Sequence, residues 1–252
     1  MLRKITLIPM ILILAVLGGC GGGKMVLKPD AVNQVKTVAL LQIPEPTYRI
    51  LNLGSPAAAM GAVGAAVNAS GSTIRVKTER TDAPFVDFSS LEEILKDAEY
   101  SVAQHLISEI SSQLEKSGFN VKIIDVERAE NELFEDYSGI NTEGADAVID
   151  IIVSNAGYVT EHFMFSPEWR PEARAMISMR ATNSSEVIYK ETLMYGYHNP
   201  MMSATDLDAP PEYAYETQEE IFLAGIDNVL AGLKDATKSI ASHVAIQLRK
   251  QN

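Results

Sequence analysis

The chain has a single cysteine, Cys20, so it can form no intrachain disulfide and no cysteine-based zinc site. Basic residues are outnumbered, with 21 Lys+Arg against 33 Asp+Glu and a net charge of −12. Such a surface repels phosphate and argues against nucleic acid as a partner. There is no GxSxG, no phosphate loop and no HExxH. The four histidines, His105, His162, His198 and His243, do not stand at metal-ligand spacing from one another. His105 and His243 fall in helical patterns, where an interfacial or solvated role is expected. His162 follows Glu161, but adjacent strand residues point to opposite faces. The run Glu92, Glu93, Asp97 and Glu99 suits a solvated helix start, where acid complements the dipole. No catalytic, metal or cofactor residue is expected, and the chain reads as a non-enzyme. A hydrolase of cell-wall sugar or peptide is disfavoured by the missing motifs.

What is present is a chain of 252 residues that is 46% hydrophobic and 21% charged, with 16 Gly and 11 Pro. This is globular composition, with enough chain to bury a core without staples. Disordered, collagenous and coiled-coil classes are thereby excluded.

The N-terminus reads as an address. Arg3 and Lys4 precede an apolar run from Ile5 to Leu17, broken only by Thr6 and Pro9 and too short to span a bilayer comfortably. It ends in Leu17-Gly18-Gly19-Cys20, which resembles a bacterial lipobox. That resemblance implies a signal peptide over 1–19, acyl chains on Cys20, and a flexible tether over 20–34 beginning with Gly21 to Gly23. Each buried methylene of a chain adds roughly 0.8 kcal/mol, and more than one chain makes attachment stable. Loss of Arg3 and Lys4 with the leader takes the net charge from −12 to −14, so lipid rather than charge must hold the protein to its membrane. Gly21, rather than Asp, follows the cysteine, which implies sorting to the outer membrane, on its periplasmic face.

Beyond the tether, a single domain over 35–252 is expected. Val35–Ile43 and Val121–Val126 read as strands, and Ala145–Ala156 as a strongly apolar one. Ser72–Thr78 alternates like a strand, Arg128–Tyr137 suggests a short helix, and Tyr158–Phe165 either continues the central strand or forms a hairpin arm. Ala173–Thr182 and Glu186–Tyr197 predict a hairpin turned at Asn183-Ser184-Ser185. Ser90-Leu91-Glu92-Glu93 resembles a capping box, and Leu91, Ile94, Leu95, Ala98, Val102, Leu106, Ile110 and Leu114 form one helical stripe ending at Gly118. Thr217-Gln218-Glu219-Glu220 repeats the box before a final helix with Phe222, Ile226, Val229, Leu230, Leu233, Ile240, Val244 and Leu248 on its buried face. Two long amphipathic helices need a sheet to cover. The expected fold is α+β, a mixed sheet with both helices on one face.

This element order, with Glu143-Gly144-Ala145-Asp146-Ala147-Val148-Ile149 entering a central strand, resembles a known group. It is similar to the periplasmic lipoprotein domains related to the TolB N-terminal domain and the curli-secretion lipoprotein family, over roughly Val35 to Leu248. The resemblance implies binding to other envelope proteins, and rings or pores in some members. It implies no catalytic residue.

Three segments are candidate interaction sites. A Gly/Ala-rich insert spans 51–72, and a helix from Pro56 to Val67 would align Ala57, Gly61 and Ala65 in a small-residue ridge that permits close packing. At 1.5 Å per residue that helix is about 18 Å long, too short to cross a membrane core. The insert is either a flexible loop or a packing element against a second copy, a partner or the membrane surface. Loop 198–216 carries Met201, Met202, Tyr213 and Tyr215, which either recognise a protein or fold back over the sheet. Trp169 in Phe163–Pro171 forms a binding edge or a lid on the core. Together these features suggest a lipid-anchored, non-catalytic periplasmic module that binds or assembles envelope proteins, with homo-oligomer formation open. The alternative is a subunit of an oligomeric export or secretion apparatus.

Overall fold

The computed structural model describes residues 25–52, 90–128, 132–134, 136–161, 168–198 and 203–250. The leader, Cys20, Ala57, Gly61, Ala65, Met201, Met202 and the expected strand at Ser72–Thr78 lie outside the described residues.

The described strands are β1 (Val26–Leu27), β2 (Thr37–Leu41), β3 (Thr47–Asn52), β4 (Asn120–Ile124), β5 (Ala147–Glu161), β6 (Glu168–Ala181), β7 (Val187–Tyr195) and β8 (Thr205–Leu207). They form one mixed sheet in the order β1-β7-β6-β5-β2-β4, with β3 also on β5 and β8 also on β7. The central pairs β5–β6 and β6–β7 are antiparallel, while β2 and β3 run parallel to β5. Because β6 occupies one edge of β5, β2 and β3 share the other, β2 against Ala147–Ile149 and β3 against Asn155–Thr160. The hairpin falls where the alternation predicts it. The central strand continues to Glu161, with a register shift between Val153 and Asn155.

The helices are α1 (Pro29–Gln34), α2 (Ser90–Asp97), α3 (Val102–Lys116), α4 (Gln218–Leu223) and α5 (Ile226–Gln247). Residues of α3 and α5, including Leu106, Ile110, Ala236 and Ile240, share one core with Val38 and Leu40, Ile149 and Ile151, and Ala175 and Ile177. These strand positions alternate, so they occupy one sheet face, and both long helices cover that face as expected. The opposite face carries Ala39, Leu41 and Val148, covered by Tyr137 with Phe134 and Ile140.

Five expectations are corrected. The stripe from Ser90 to Gly118 is two helices, not one. Glu99 takes a left-handed φ of 50°, and the Ser101 hydroxyl accepts the Gln104 N–H at 2.9 Å, starting a new helix. The final helix is also broken, at Gly225 with φ 85°, which shifts the phase of its stripe. Ile226, expected on the buried face, is therefore 41% exposed. Thr217 does cap α4 by accepting the Glu220 N–H at 3.2 Å, but the Glu220 carboxylate returns to the N–H of Glu216 rather than to its cap. Finally, the domain begins before Val35. β1 pairs with β7 and Val32 of α1 is buried in the core, so 26–34 is folded rather than tether. The described part of Arg128–Tyr137 is irregular chain rather than helix, held by side-chain bonds described below.

The elements share a polarity. His105 Nδ1 meets Thr237 Oγ1 and Lys250 Nζ meets the Gly118 carbonyl, both 132 residues apart, so α3 and α5 run in the same direction. At one end lie the β6–β7 turn, the start of β4 and the C-termini of both helices, here called the hairpin end. At the other lie the end of β5, the start of β6 and the start of α5, joined by the Tyr158 hydroxyl donating to the Val229 carbonyl at 3.1 Å. This second, loop end also takes α2 and α4, whose Leu91, Leu95 and Ile221 pack with Tyr158, Trp169 and Leu230.

Candidate interaction surfaces

Three charged clusters sit inside the sheet. Asp150, fully buried on the face opposite the helices, accepts from Arg128 at 2.5 Å, the Phe134 N–H at 2.8 Å and the Tyr137 hydroxyl at 3.0 Å. Arg128 also stacks over the Phe134 ring at 4.6 Å. These bonds fasten the irregular segment after β4 to that face. Glu172 accepts from Arg49 at 2.6 Å and from Asn155 on the same face. Beside them β3 passes so close to Gly157 that a Cβ there would sit 1.7 Å from the Arg49 carbonyl oxygen.

The third cluster lies under α5. Glu191 accepts from the Tyr189 hydroxyl at 2.5 Å and the Thr205 hydroxyl at 2.5 Å, and bonds His243 Nε2 at 3.0 Å. Burial opposes its ionisation, but the bonds from His243, Thr205 and Tyr189 outweigh it and hold its pKa below the ordinary value. In a nucleophilic triad the imidazole stands between hydroxyl and carboxylate. Here the carboxylate stands between them, so His243 cannot take the Thr205 proton directly. The arrangement instead ties β8 and α5 to β7. The third described imidazole, His105, is kept below its ordinary pKa mainly by burial against α5.

At the loop end a cavity of about 310 Å³ is lined by Val159, Glu168, Arg170, His198, Asp206 and Asp208 among others. Arg170 pairs with Glu168 at 2.5 Å and His198 bonds Asp206.

Of the residues singled out in the sequence, three can be placed. Trp169 is a lid on the core rather than a binding edge: it is 6% exposed and packs with Tyr158 and Leu230. Its backbone exchanges bonds with Tyr215 at 2.7 and 2.9 Å, and the Tyr215 ring meets Tyr158 edge-on at 5.9 Å. Tyr213 and Tyr215 are half-buried, so the described part of loop 198–216 folds back over the sheet. The sequence reading missed the exposed apolar residues. Leu223 is 84% exposed and Ile226 41%, both beside the α4–α5 break, and Ile246 near the end of α5 is 60% exposed. Gly225 between two periodic stretches was the available signal.

No family model matches the chain, and no curated protein matches it. Among solved structures it is similar to the PelC dodecamer from Paraburkholderia phytofirmans, at 12% identity, covering 91% of this chain and 97% of that one, with a TM-score of 0.35. It is also similar to a neuraminyllactose-binding hemagglutinin homolog from Helicobacter pylori, at 13% identity, 86% and 88% coverage and a TM-score of 0.35. Likeness at these scores carries no functional argument.

Proposed function

We propose that this chain is a lipid-anchored, non-catalytic module of the bacterial envelope that binds or assembles other proteins. Attachment is through acyl chains on Cys20, which place the domain on the periplasmic face of the outer membrane. The Leu17-Gly18-Gly19-Cys20 ending of the apolar leader supports the anchor. This fits the likeness of the element order to the TolB N-terminal and curli-secretion group.

The observation that carries the binding role is the exposed pair Leu223 and Ile226. Large apolar side chains left beside one another on a charged surface mark contact sites rather than core. The test is cross-linking in intact cells from a photoreactive residue at position 223, with position 108, an exposed site midway along α3, as the control. Cross-links to envelope proteins from 223 and not from 108 are expected. Equal or absent cross-linking at both would refute the binding role.

A further inference from the structure

We infer that the outer edge of β4 takes up an extended, basic segment of another protein as an added strand. This rests on the binding reading and gives it a second surface, separate from Leu223 and Ile226, and a partner chemistry.

β4 ends the strand order and pairs with β2, parallel to it. The Asn120 N–H donates to the Lys36 carbonyl and the Gln42 N–H to the Ile124 carbonyl, both at 2.8 Å. Successive strand residues turn their N–H and C=O groups to opposite edges, so those of Asn120, Lys122 and Ile124 face β2. Those of Val121 and Ile123 face outward, and no strand among the described residues pairs with them. Such an edge is a template for another strand unless it is short, bulged, covered or blunted by lysine. At the far side of the sheet β1 and β8 have only two and three residues, whereas β4 has five and no register shift against β2. Its lysine, Lys122, is drawn onto the Glu143 carbonyl at 2.7 Å. Val121 packs against the helix-side core, but Ile123 on the same face is 52% exposed.

The groove beside this edge sets the partner's chemistry. It has a volume of about 600 Å³ and includes Ile123, Phe134 and Ile140 in its wall. Its charged lining residues are all acidic: Asp125, Glu127, Asp136 and Glu143. From Asp125 to Asp136 the sequence holds six acidic residues and one basic, Arg128, whose side chain is 7% exposed and bonded to Asp150. Lys36, Lys116 and Lys250 lie at the other end of β4, by Asn120 and Gly118. An added strand therefore meets apolar side chains and carboxylates, which suits a peptide that alternates apolar and basic residues. Main-chain bonds to Val121 and Ile123 would supply affinity, and the groove would select side chains. A second copy of β4 would instead set one acidic groove against another.

The test uses the full chain as cells make it, in mild detergent if it is membrane-bound, with fluorescent Lys-Val-Lys-Val-Lys-Val-Lys as the probe. Anisotropy should show binding that weakens with salt, and none for Glu-Val-Glu-Val-Glu-Val-Glu. Lys-Pro-Lys-Pro-Lys-Pro-Lys has the same charge but lacks the N–H groups of a strand, and should bind at least tenfold more weakly. Hydrogen exchange read by mass should show protection within 119–125 when the first probe binds. Ile123→Pro removes an outward N–H and no bond to β2, so the fold should be kept and binding lost. Circular dichroism checks folding, with Ile123→Lys as the second variant. Asp125→Asn with Glu143→Gln should weaken binding roughly threefold to tenfold at low salt. No binding of the first probe, equal binding of the proline peptide, protection confined to other segments, or full binding by a folded Ile123 variant or by the Asp125 and Glu143 variant would overturn the inference. Cross-linking from position 223 reports a different surface, so either result can fail while the other stands.

Discussion

Replacing Asp150 by Ala removes three bonds at once: those from Arg128 at 2.5 Å, the Phe134 N–H at 2.8 Å and the Tyr137 hydroxyl at 3.0 Å. The decisive consequence falls on Arg128, whose side chain is only 7% exposed and would lose its counter-ion. Breaking one partner of a buried pair costs about 3–5 kcal/mol, because the remaining charge is neither solvated nor matched. Against a total stability of roughly 5–15 kcal/mol this is a large fraction. At roughly 2–4 °C per kcal/mol for a domain of this size, melting should fall by about 6–20 °C. Urea titration gives the free energy, and limited proteolysis should show the segment 125–145 cut first, because Asp150 is what fastens it. The double variant Arg128→Met with Asp150→Leu removes both charges and should recover much of the loss. A single-variant loss under about 1 kcal/mol, or no recovery in the double variant, would refute the reasoning that the pair is buried and interdependent.

Leu106→Asp should cost several kcal/mol by burying an unpaired carboxylate against the sheet, where Leu106 has no exposure; near-normal melting would show the helix face misplaced. Gly157→Ala should displace β3, since its Cβ would lie 1.7 Å from the Arg49 carbonyl oxygen; an unchanged melting point would mean the strands are not so close. Acid should destabilise the fold in two stages. The His105 pKa is lowered by burial, so the unfolded chain takes its proton first and stability falls as pH drops below the ordinary value of 6.5. Glu191 is also lowered, so its contribution is complete above 4.5 and is lost only as pH falls through its folded value. His105→Gln should remove the first stage of the melting curve against pH and leave the second; an unaltered first stage would contradict the assignment.

Alternation and capping signals made much of the fold legible. The apolar stretch around Val148–Ile152, the hairpin at Asn183–Ser185 and the two amphipathic regions each carry a periodicity that packing preserves. The helix breaks were less visible because an apolar stripe continues across them. Ser101-Val102-Ala103-Gln104 is itself a capping pattern, and only the Ser101 bond to the Gln104 N–H shows which signal prevails. β1, with two residues, is too short to have a period. The buried charges were hidden for another reason. Asp150, Glu172 and Glu191 lie inside strands, but their partners Arg128, Arg49 and His243 are 22, 123 and 52 residues away. Spacing along the chain carries no trace of such pairs. The surface candidates divide similarly. A tryptophan between prolines suggests exposure, yet Trp169 is covered because Tyr215 folds back on it. Ile226 fits a helical stripe, yet the Gly225 break leaves it 41% exposed.

Attachment to the membrane through Cys20 is the claim on which the envelope role depends most. Its most direct measurement is the intact mass of the chain extracted from membranes, with the N-terminal fragment sequenced after digestion. The account predicts a mature chain that begins at Cys20 and carries acyl groups on that residue. A chain that keeps residues 1–19, or one that begins at another residue or bears an unmodified Cys20, would contradict it.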